Sequence, residues 1–518
     1  MSLSDTASKK IEDIPNHQYY KTAIVTIVLS IGMWLAIYTT PKYIQYICKL
    51  QNDAPRDHQK TVRAFGHNLE SGYLHNVFTV LNRIGYINTT SSDWDLLWAH
   101  NYPFSTLASE LKNLKPHQRV NKFPGSGYIT NKVELATSGI KYIPPAFRLP
   151  KDKQKFLEYA GANPGKKFVE KNNDHRDIRI KNITDINLNG NSTFIQEFVD
   201  DPLLISGYKF DIGVYAIFTS IDPLRIYIYK GDFLLRFCPV KYYPFDPQNI
   251  DKYVVGDDYL PTWNVPGLKY YYKTLGYGMG ESLNAYLRSK GRDPSIIWKQ
   301  IEDSIRIVGL TKERNLVESL KRFPSKENFF EMMRFDFVVT EDLEVFLMEA
   351  NMSPNLSSAH FPPNRLFFEQ IIYNLLGLVG LNNAVKSNQM LGRTLICDTV
   401  NINAIFRRST LENEMRVADK NIMVYPDECN SALCSSSCIS PMCGLCRPCL
   451  SPENKRNFLR AYLEHMNRGE CKRIYPPLTL MNSEEIIIYD DGEEDTPENQ
   501  LQYRWFNGKC LMDSSWCT

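Results

Sequence analysis

The chain has 518 residues, 43% of them hydrophobic and 23% charged, which is enough apolar material for one or two large cores and excludes a disordered polymer. Its 60 Lys and Arg offset 58 Asp and Glu to a formal charge of +2. No long-range field therefore argues for nucleic acid, and none is expected as a partner.

The first 21 residues read as a polar tail. Residues 22–39, "TAIVTIVLSIGMWLAIYT", are uncharged and about long enough to cross a ~30 Å hydrocarbon core as a helix. The run lies far from the start, and bulky Tyr38, Lys42 and Tyr43 stand where a signal-peptide cleavage site would need small residues, so the expectation is a single-pass membrane anchor. Residues 40–60, with "KLQNDAPRDHQK", form a charged stem. Orientation is a tie by flanking charge: Lys9, Lys10 and Lys21 precede the run, and Lys42, Lys49 and Arg56 follow it.

Residues 61–385 mix short β-branched and aromatic runs with helical stretches, the pattern of an α/β or α+β domain with antiparallel sheets. Residues 211–237 read as three strands broken at "IDP" and "KGD", an antiparallel meander. Residues 293–323 carry apolar positions at helical spacing and read as two amphipathic helices that pack on the core. Residues 333–358, "MRFDFVVTEDLEVFLMEANMSPNLSS", read as a hairpin turning at "TEDLE".

Residues 390–518 shift to cysteine, serine, proline and acidic side chains. Nine of the twelve cysteines lie beyond residue 428. "CGLC" and "CRPC" share Cys446, so they are not two independent zinc knuckles; a disulfide-stapled segment in an oxidising lumen and a zinc module in the cytosol both stay open. The sequons at Asn88, Asn182 and Asn191 are usable only by a luminal body, and the balance leans that way. The tail stretch "ENKRNFLRAYLEHMNRGECKR" reads as a helix that docks on the core, with partner recruitment as the alternative.

The hairpin carries the chemistry. Alternation puts Phe335, Phe337 and Val339 on one face and Asp336 on the other. On the return strand it puts Val345, Leu347, Glu349 and Asn351 together. Antiparallel pairing brings Asp336 near Glu349 and Asn351, a hard-oxygen set suited to Mg²⁺ holding nucleotide phosphates.

"FDFVVTEDLEVFLMEANMSPNL" resembles the closing hairpin of the tubulin tyrosine ligase-like family of ATP-grasp enzymes. "NKFPGSGYITNK", "IPPAFRLP", "FIQEFVDDPLLISGYKFDIGVYAIFTS" and "DPLRIYIYKGDFLLRF" follow the family order over roughly residues 115–375. The resemblance implies an ATP-grasp ligase that uses ATP and Mg²⁺, with Asp336, Glu349 and Asn351 at the metal. It implies that Arg236 and Lys171 stabilise the phosphates, that Lys132 contacts them, and that Lys209 and Asp211 contact nucleotide. Gln196, Glu197, Phe198 and Val199 correspond to the segment whose backbone reads adenine.

The resemblance implies ligation of an amino acid, tyrosine, glycine or glutamate, to protein carboxylates, with free glutamate preferred as the commonest in the family and tubulin or another acidic protein as acceptor. Where the family has an Arg-Gly-x-Gly-Ile loop, "KNNDHRDIRI" keeps Lys171, Arg176 and Ile180 in register but puts Asp177 and Arg179 at the glycine positions. Gly213 stands where the family commonly has arginine, and "LPTWN" matches its Leu-Thr-Asn element loosely. These departures support a competing reading, a membrane-anchored ATP-grasp fold that binds without catalysing.

Overall fold

The computed structural model describes residues 59–67, 69, 72–172, 178–181, 183–189, 193–382, 417–440, 443–477 and 496–517. The polar tail, the apolar run 22–39 and most of the stem lie outside them. Among the described residues no helix is long and apolar enough to cross a membrane.

A parallel sheet opens the fold. Its strands β1 (Thr61–Phe65), β2 (Ile87–Asn88), β3 (Leu96–Ala99) and β4 (Arg119–Val120) run in the order β2-β1-β3-β4, and helix α1 (His75–Arg83) follows β1. Antiparallel sheets alone were expected; this one is parallel because each return passes through a crossover connection rather than a tight turn. Helix α2 (Lys132–Ala136) then leads to a four-stranded antiparallel sheet, β5-β8-β6-β7, of β5 (Ala146–Arg148), β6 (Phe168–Asn172), β7 (Arg179–Lys181) and β8 (Thr193–Glu197). Helix α3 (Lys153–Ala162) covers it, with Phe156 packed edge-on against Phe168.

The central sheet is built around β9 (Phe210–Ile221), buried at all 12 positions. Burial on both faces explains the near-continuous apolar run and its weak alternation. β10 (Leu224–Tyr229) and β11 (Leu234–Phe237) both pair with β9, along different stretches of it, so the three strands are not the expected meander. The turns fall where expected, at Asp222-Pro223 and Lys230-Gly231. β12 (Leu260–Pro261) extends β11, and α4 (Met279–Ser289) follows.

In place of two amphipathic helices stands one of 26 residues, α5 (Ser295–Leu320). Gly309 does not break it; a Cβ there would lie 2.3 Å from Ile226 Cδ1, so the glycine lets the helix seat closely on β10. That packing outweighs a helix-propensity loss of about 1 kcal/mol. β13 (Glu331–Val339) takes the other edge of β9 and pairs with β14 (Val345–Asn351), and α6 (Arg365–Leu378) completes this part of the chain.

The change of composition near residue 390 does not separate the chain after residue 417 from this core. α7 (Pro452–Met466), β15 (Cys471–Tyr475) and α8 (Pro497–Met512) follow, and β15 adds to the central sheet by pairing with β10. The expected docking of the basic tail helix is observed: Glu464 of α7 accepts from Arg225 Nε at 2.8 Å and Nη2 at 3.0 Å. Phe458 stacks on Trp505 of α8 with ring centroids 5.0 Å apart. The cysteines form the disulfides Cys429–Cys446, Cys434–Cys443, Cys438–Cys449 and Cys510–Cys517. Those within residues 429–449 give this segment the stapled arrangement of the two left open.

Candidate active site

A cavity of ≈ 180 Å³ lies between the β5–β8 sheet and the central sheet. Its apolar walls are Val169, Ile178, Phe194, Phe210, Tyr253, Val254 and Val338, and its charged lining includes Lys132, Lys171, Glu197, Lys209, Asp211, Arg236, Asp336 and Glu349. A cavity with apolar walls and a set of ionic groups suits a nucleotide. The polar residues come from neighbouring strands in register. Arg236 of β11 is opposite Asp211 of β9, Gly213 of β9 is opposite Asp336 of β13, and Asp336 is opposite Glu349 of β14.

One local irregularity aims this row. Asp336 pairs with Glu349 but Phe337 pairs with Leu347, which leaves Met348 as an extra residue, a β-bulge. Strict alternation placed Glu349 and Asn351 on the same face as Val345 and Leu347. The bulge breaks that pattern: Val345 and Leu347 stay in the core, each 1% exposed, while Glu349 and Asn351 turn to Asp336. Asn351 Nδ2 donates to Asp336 Oδ2 at 3.0 Å and to Glu349 Oε1 at 3.1 Å.

Basic side chains surround these carboxylates. Arg236 donates to Asp211 from Nε at 2.9 Å and from Nη2 at 2.7 Å, and Nη2 also reaches Asp336 Oδ2 at 3.0 Å. Burial raises the Asp211 carboxyl to about 6; Arg236 works against that rise and the charge of Asp336 adds to it. Burial also pushes Glu349 upward, but Lys132, the Asn351 hydrogen bond and Arg334 together outweigh it and hold the carboxyl at about 2. Lys132 Nζ lies 3.2 Å from Glu349 Oε2. It begins α2, whose cap is Asn131, accepting from Val133 N at 3.0 Å and Glu134 N at 3.1 Å.

Lys171, on β6, donates to Gln196 Oε1 at 2.8 Å. Burial lowers its ammonium to about 8, opposed by Glu349 and reinforced by Lys132 and Lys209. Burial likewise lowers Lys209, which donates to the Tyr253 carbonyl at 3.0 Å.

The segment expected to read adenine lines the cavity through Glu197, Phe198 and Val199. Two of its donors are already committed, Glu197 N to the Pro145 carbonyl at 2.9 Å and Phe198 N to the Lys167 carbonyl at 2.8 Å. A base edge would therefore be read by other groups of the segment. The Glu197 side chain is held by Tyr159 Oη at 2.6 Å and Lys166 Nζ at 2.7 Å. Gln196 does not line the cavity; it orients Lys171 and donates to the Pro144 carbonyl at 3.2 Å.

The donor set Asp336, Glu349 and Asn351 converges and has the hard-oxygen chemistry of a Mg²⁺ site. Its carboxylate oxygens accept from Arg236, Arg334 and the Asn351 amide, with Lys132 beside Glu349. Sequence reasoning missed Arg334, which donates to Asp336 Oδ1 from Nε at 2.7 Å and to Oδ2 from Nη2 at 2.8 Å. Its position two residues before Asp336 was the available signal, because alternation puts both on one face. Arg334 also explains Gly213, where a Cβ would lie 3.0 Å from Arg334 Cδ. Of the altered loop, Arg176 and Asp177 lie outside the described residues, and Arg179 is exposed on β7.

A profile of the tubulin-tyrosine ligase family matches residues 109–388. A Caenorhabditis elegans protein named probable tubulin polyglutamylase ttll-15 is 39% identical over 459 residues, 86% of this chain and 84% of that protein. Human tubulin polyglutamylase TTLL5 is 29% identical over 54% of this chain and 23% of its own length. Human tubulin monoglutamylase TTLL4 is 27% identical over 57% of this chain and 26% of its own length.

Proposed function

Because the chain belongs to the tubulin-tyrosine ligase family, we propose that it is an ATP-dependent carboxylate–amine ligase that attaches free glutamate to protein carboxylates through an acyl phosphate. The observation that carries this reading is the row Arg236, Asp211, Asp336 and Glu349 across four strands, all lining the cavity, with Asn351 hydrogen-bonded to its last two members. A carboxylate acylates an amine poorly because oxide would have to leave. It must first attack the γ-phosphorus of ATP with loss of ADP, after which the amine attacks the acyl carbon and phosphate departs.

Lys132, Lys171 and Arg236 bring positive charge to the part of the cavity where the transferring phosphoryl oxygens would lie. Asp336, Glu349 and Asn351 would hold Mg²⁺, which supplies charge neutralisation at that phosphoryl group. Gln196 keeps the Lys171 ammonium oriented, and Phe194, Phe198 and Tyr253 exclude water around the base. The names of the relatives support tubulin as acceptor.

The apolar run 22–39 would anchor the protein in a membrane. We place the body on its luminal side, on the support of the disulfides and of the exposed sequon at Asn88. The acceptor there would be an acidic secretory-pathway protein, and glycosidase treatment of the full-length protein separates the two compartments. A band that does not shift, with the amino terminus protected from added protease, refutes the luminal placement.

The ligase reading is tested by labelled glutamate incorporation into acidic acceptors with Mg²⁺ and ATP. Wild-type protein should incorporate label, and Asp336→Asn should lose at least about a hundredfold, as expected for a metal ligand. Absence of incorporation together with absence of a nucleotide thermal shift refutes it. The second reading, nucleotide binding without transfer, rests on Asp177 and Arg179 in place of glycine. A thermal shift without incorporation selects it.

A further inference from the structure

Asp336 accepts four hydrogen bonds, one at Oδ1 and three at Oδ2. Its Oδ1 accepts from Arg334 Nε at 2.7 Å, and its Oδ2 accepts from Arg334 Nη2 at 2.8 Å, Arg236 Nη2 at 3.0 Å and Asn351 Nδ2 at 3.0 Å. An ionised carboxylate offers roughly four lone-pair positions. Arg236 divides its fork between Asp211 and Asp336, whereas Arg334 directs both Nε and Nη2 to Asp336.

Arg334 is 6% exposed and lies outside the lining of the nucleotide cavity. The room it occupies is left by Gly213, where a Cβ would meet Arg334 Cδ at 3.0 Å, Asp336 Oδ1 at 3.2 Å and Leu234 Cβ at 3.3 Å. Gly213 is an interior strand position, so what glycine supplies there is space.

We infer that Arg334 is an exchangeable counter-ion of the metal site: it caps Asp336 while no metal is bound and releases it when Mg²⁺ is taken up with nucleotide. The inference rests on the metal reading given under Proposed function. Three donors crowd Oδ2, Arg334 Nη2 among them, and a guanidinium kept beside a hard cation would repel it. Release of Arg334 and uptake of metal are therefore linked, and removing the guanidinium removes a competitor.

The test uses the full chain, with Mg²⁺ titrated at a saturating non-hydrolysable ATP analogue and followed by thermal shift. In Arg334→Gln the half-saturating Mg²⁺ concentration should fall about tenfold, the scale of a lost charged hydrogen bond. Its melting temperature should drop in EDTA and recover on adding Mg²⁺. Arg334→Lys, which keeps charge but loses the fork, should lie between wild type and Arg334→Gln. Arg334→Lys keeps the question answerable if Arg334→Gln does not fold.

An equal loss of melting temperature with and without Mg²⁺, at unchanged half-saturation, overturns the inference and leaves Arg334 a packing residue. If wild-type protein shows no Mg²⁺ dependence at all, the metal reading fails and takes this inference with it. If wild type responds and the variants share its half-saturation, the counter-ion role alone fails.

Discussion

Glu464→Gln should destabilise the whole ligase core, although the residue lies in the cysteine-rich region. Its carboxylate accepts from Arg225 Nε at 2.8 Å, Arg225 Nη2 at 3.0 Å and Thr219 Oγ1 at 2.9 Å. The Arg225 and Glu464 side chains are 0% and 5% exposed. Arg119 and Arg460 share this environment, and burial, then the charges of Arg119 and Arg225, lower Arg460 to about 9. Removing the acid thus strands the buried Arg225 guanidinium beside the half-buried Arg119 and Arg460, at a cost of about 3–5 kcal/mol.

Arg225→Met should cost less, because Glu464 keeps Arg119 and Arg460 nearby. The double variant Arg225→Met with Glu464→Gln should cost less than the sum of the separate losses, by about 1–3 kcal/mol. Urea unfolding followed by tryptophan fluorescence, and separately by loss of nucleotide binding, should give coincident transitions, because β15 belongs to the same sheet as Asp211 and Asp336. A Glu464→Gln loss below about 1 kcal/mol, strict additivity, or a tail that unfolds before the nucleotide site would refute the reasoning.

Lys171 is held at about 8 by burial, so its charge is present below that pH and lost above it. Nucleotide affinity should decline as pH rises from 7 to 9, and the decline should disappear in Lys171→Gln; a flat wild-type profile counts against a phosphate contact. The Glu349 carboxyl sits at about 2, below its ordinary 4.5. The stability it contributes is complete above about pH 4.5 and is lost as pH falls towards 2, so Glu349→Gln should flatten that part of the acid-melting curve. An acid limb as steep as that of wild type would contradict the ion pair with Lys132. Alkylation of the native protein should spare Cys429, Cys434, Cys438, Cys443, Cys446, Cys449, Cys510 and Cys517, and buried Cys238 and Cys471 should react only after unfolding. Modification of the first eight before reduction would exclude the stapled arrangement.

Much of the site was legible because its signals are local. Asp336, Glu349 and Asn351 interrupt apolar strands, and polar side chains in such places need a purpose that types of residue and spacing can name. The same holds for Lys209, just before β9, and Asp211 within it. Docking of the tail helix was the preferred of two readings of its basic stretch, and its contacts with the central sheet bear it out. The single long helix around Gly309 did not, since whether a glycine breaks a helix depends on what packs against it.

The sequence by itself determined the family, the residue types of the site and the hairpin that carries them. Only tertiary structure decided that Glu349 faces Asp336, because the bulge at Met348 is a property of two paired strands and not of either one. Only tertiary structure put Arg334 into the room over Gly213, positions more than a hundred residues apart in the chain and joined by strand pairing. Likewise, the cysteine-rich tail reads as a separate segment by composition, yet Arg225 and Glu464 tie it to the central sheet. The physical reason is common to all three: alternation and composition act along the chain, whereas register, volume and the pairing of buried charges are settled between elements that meet only when it folds.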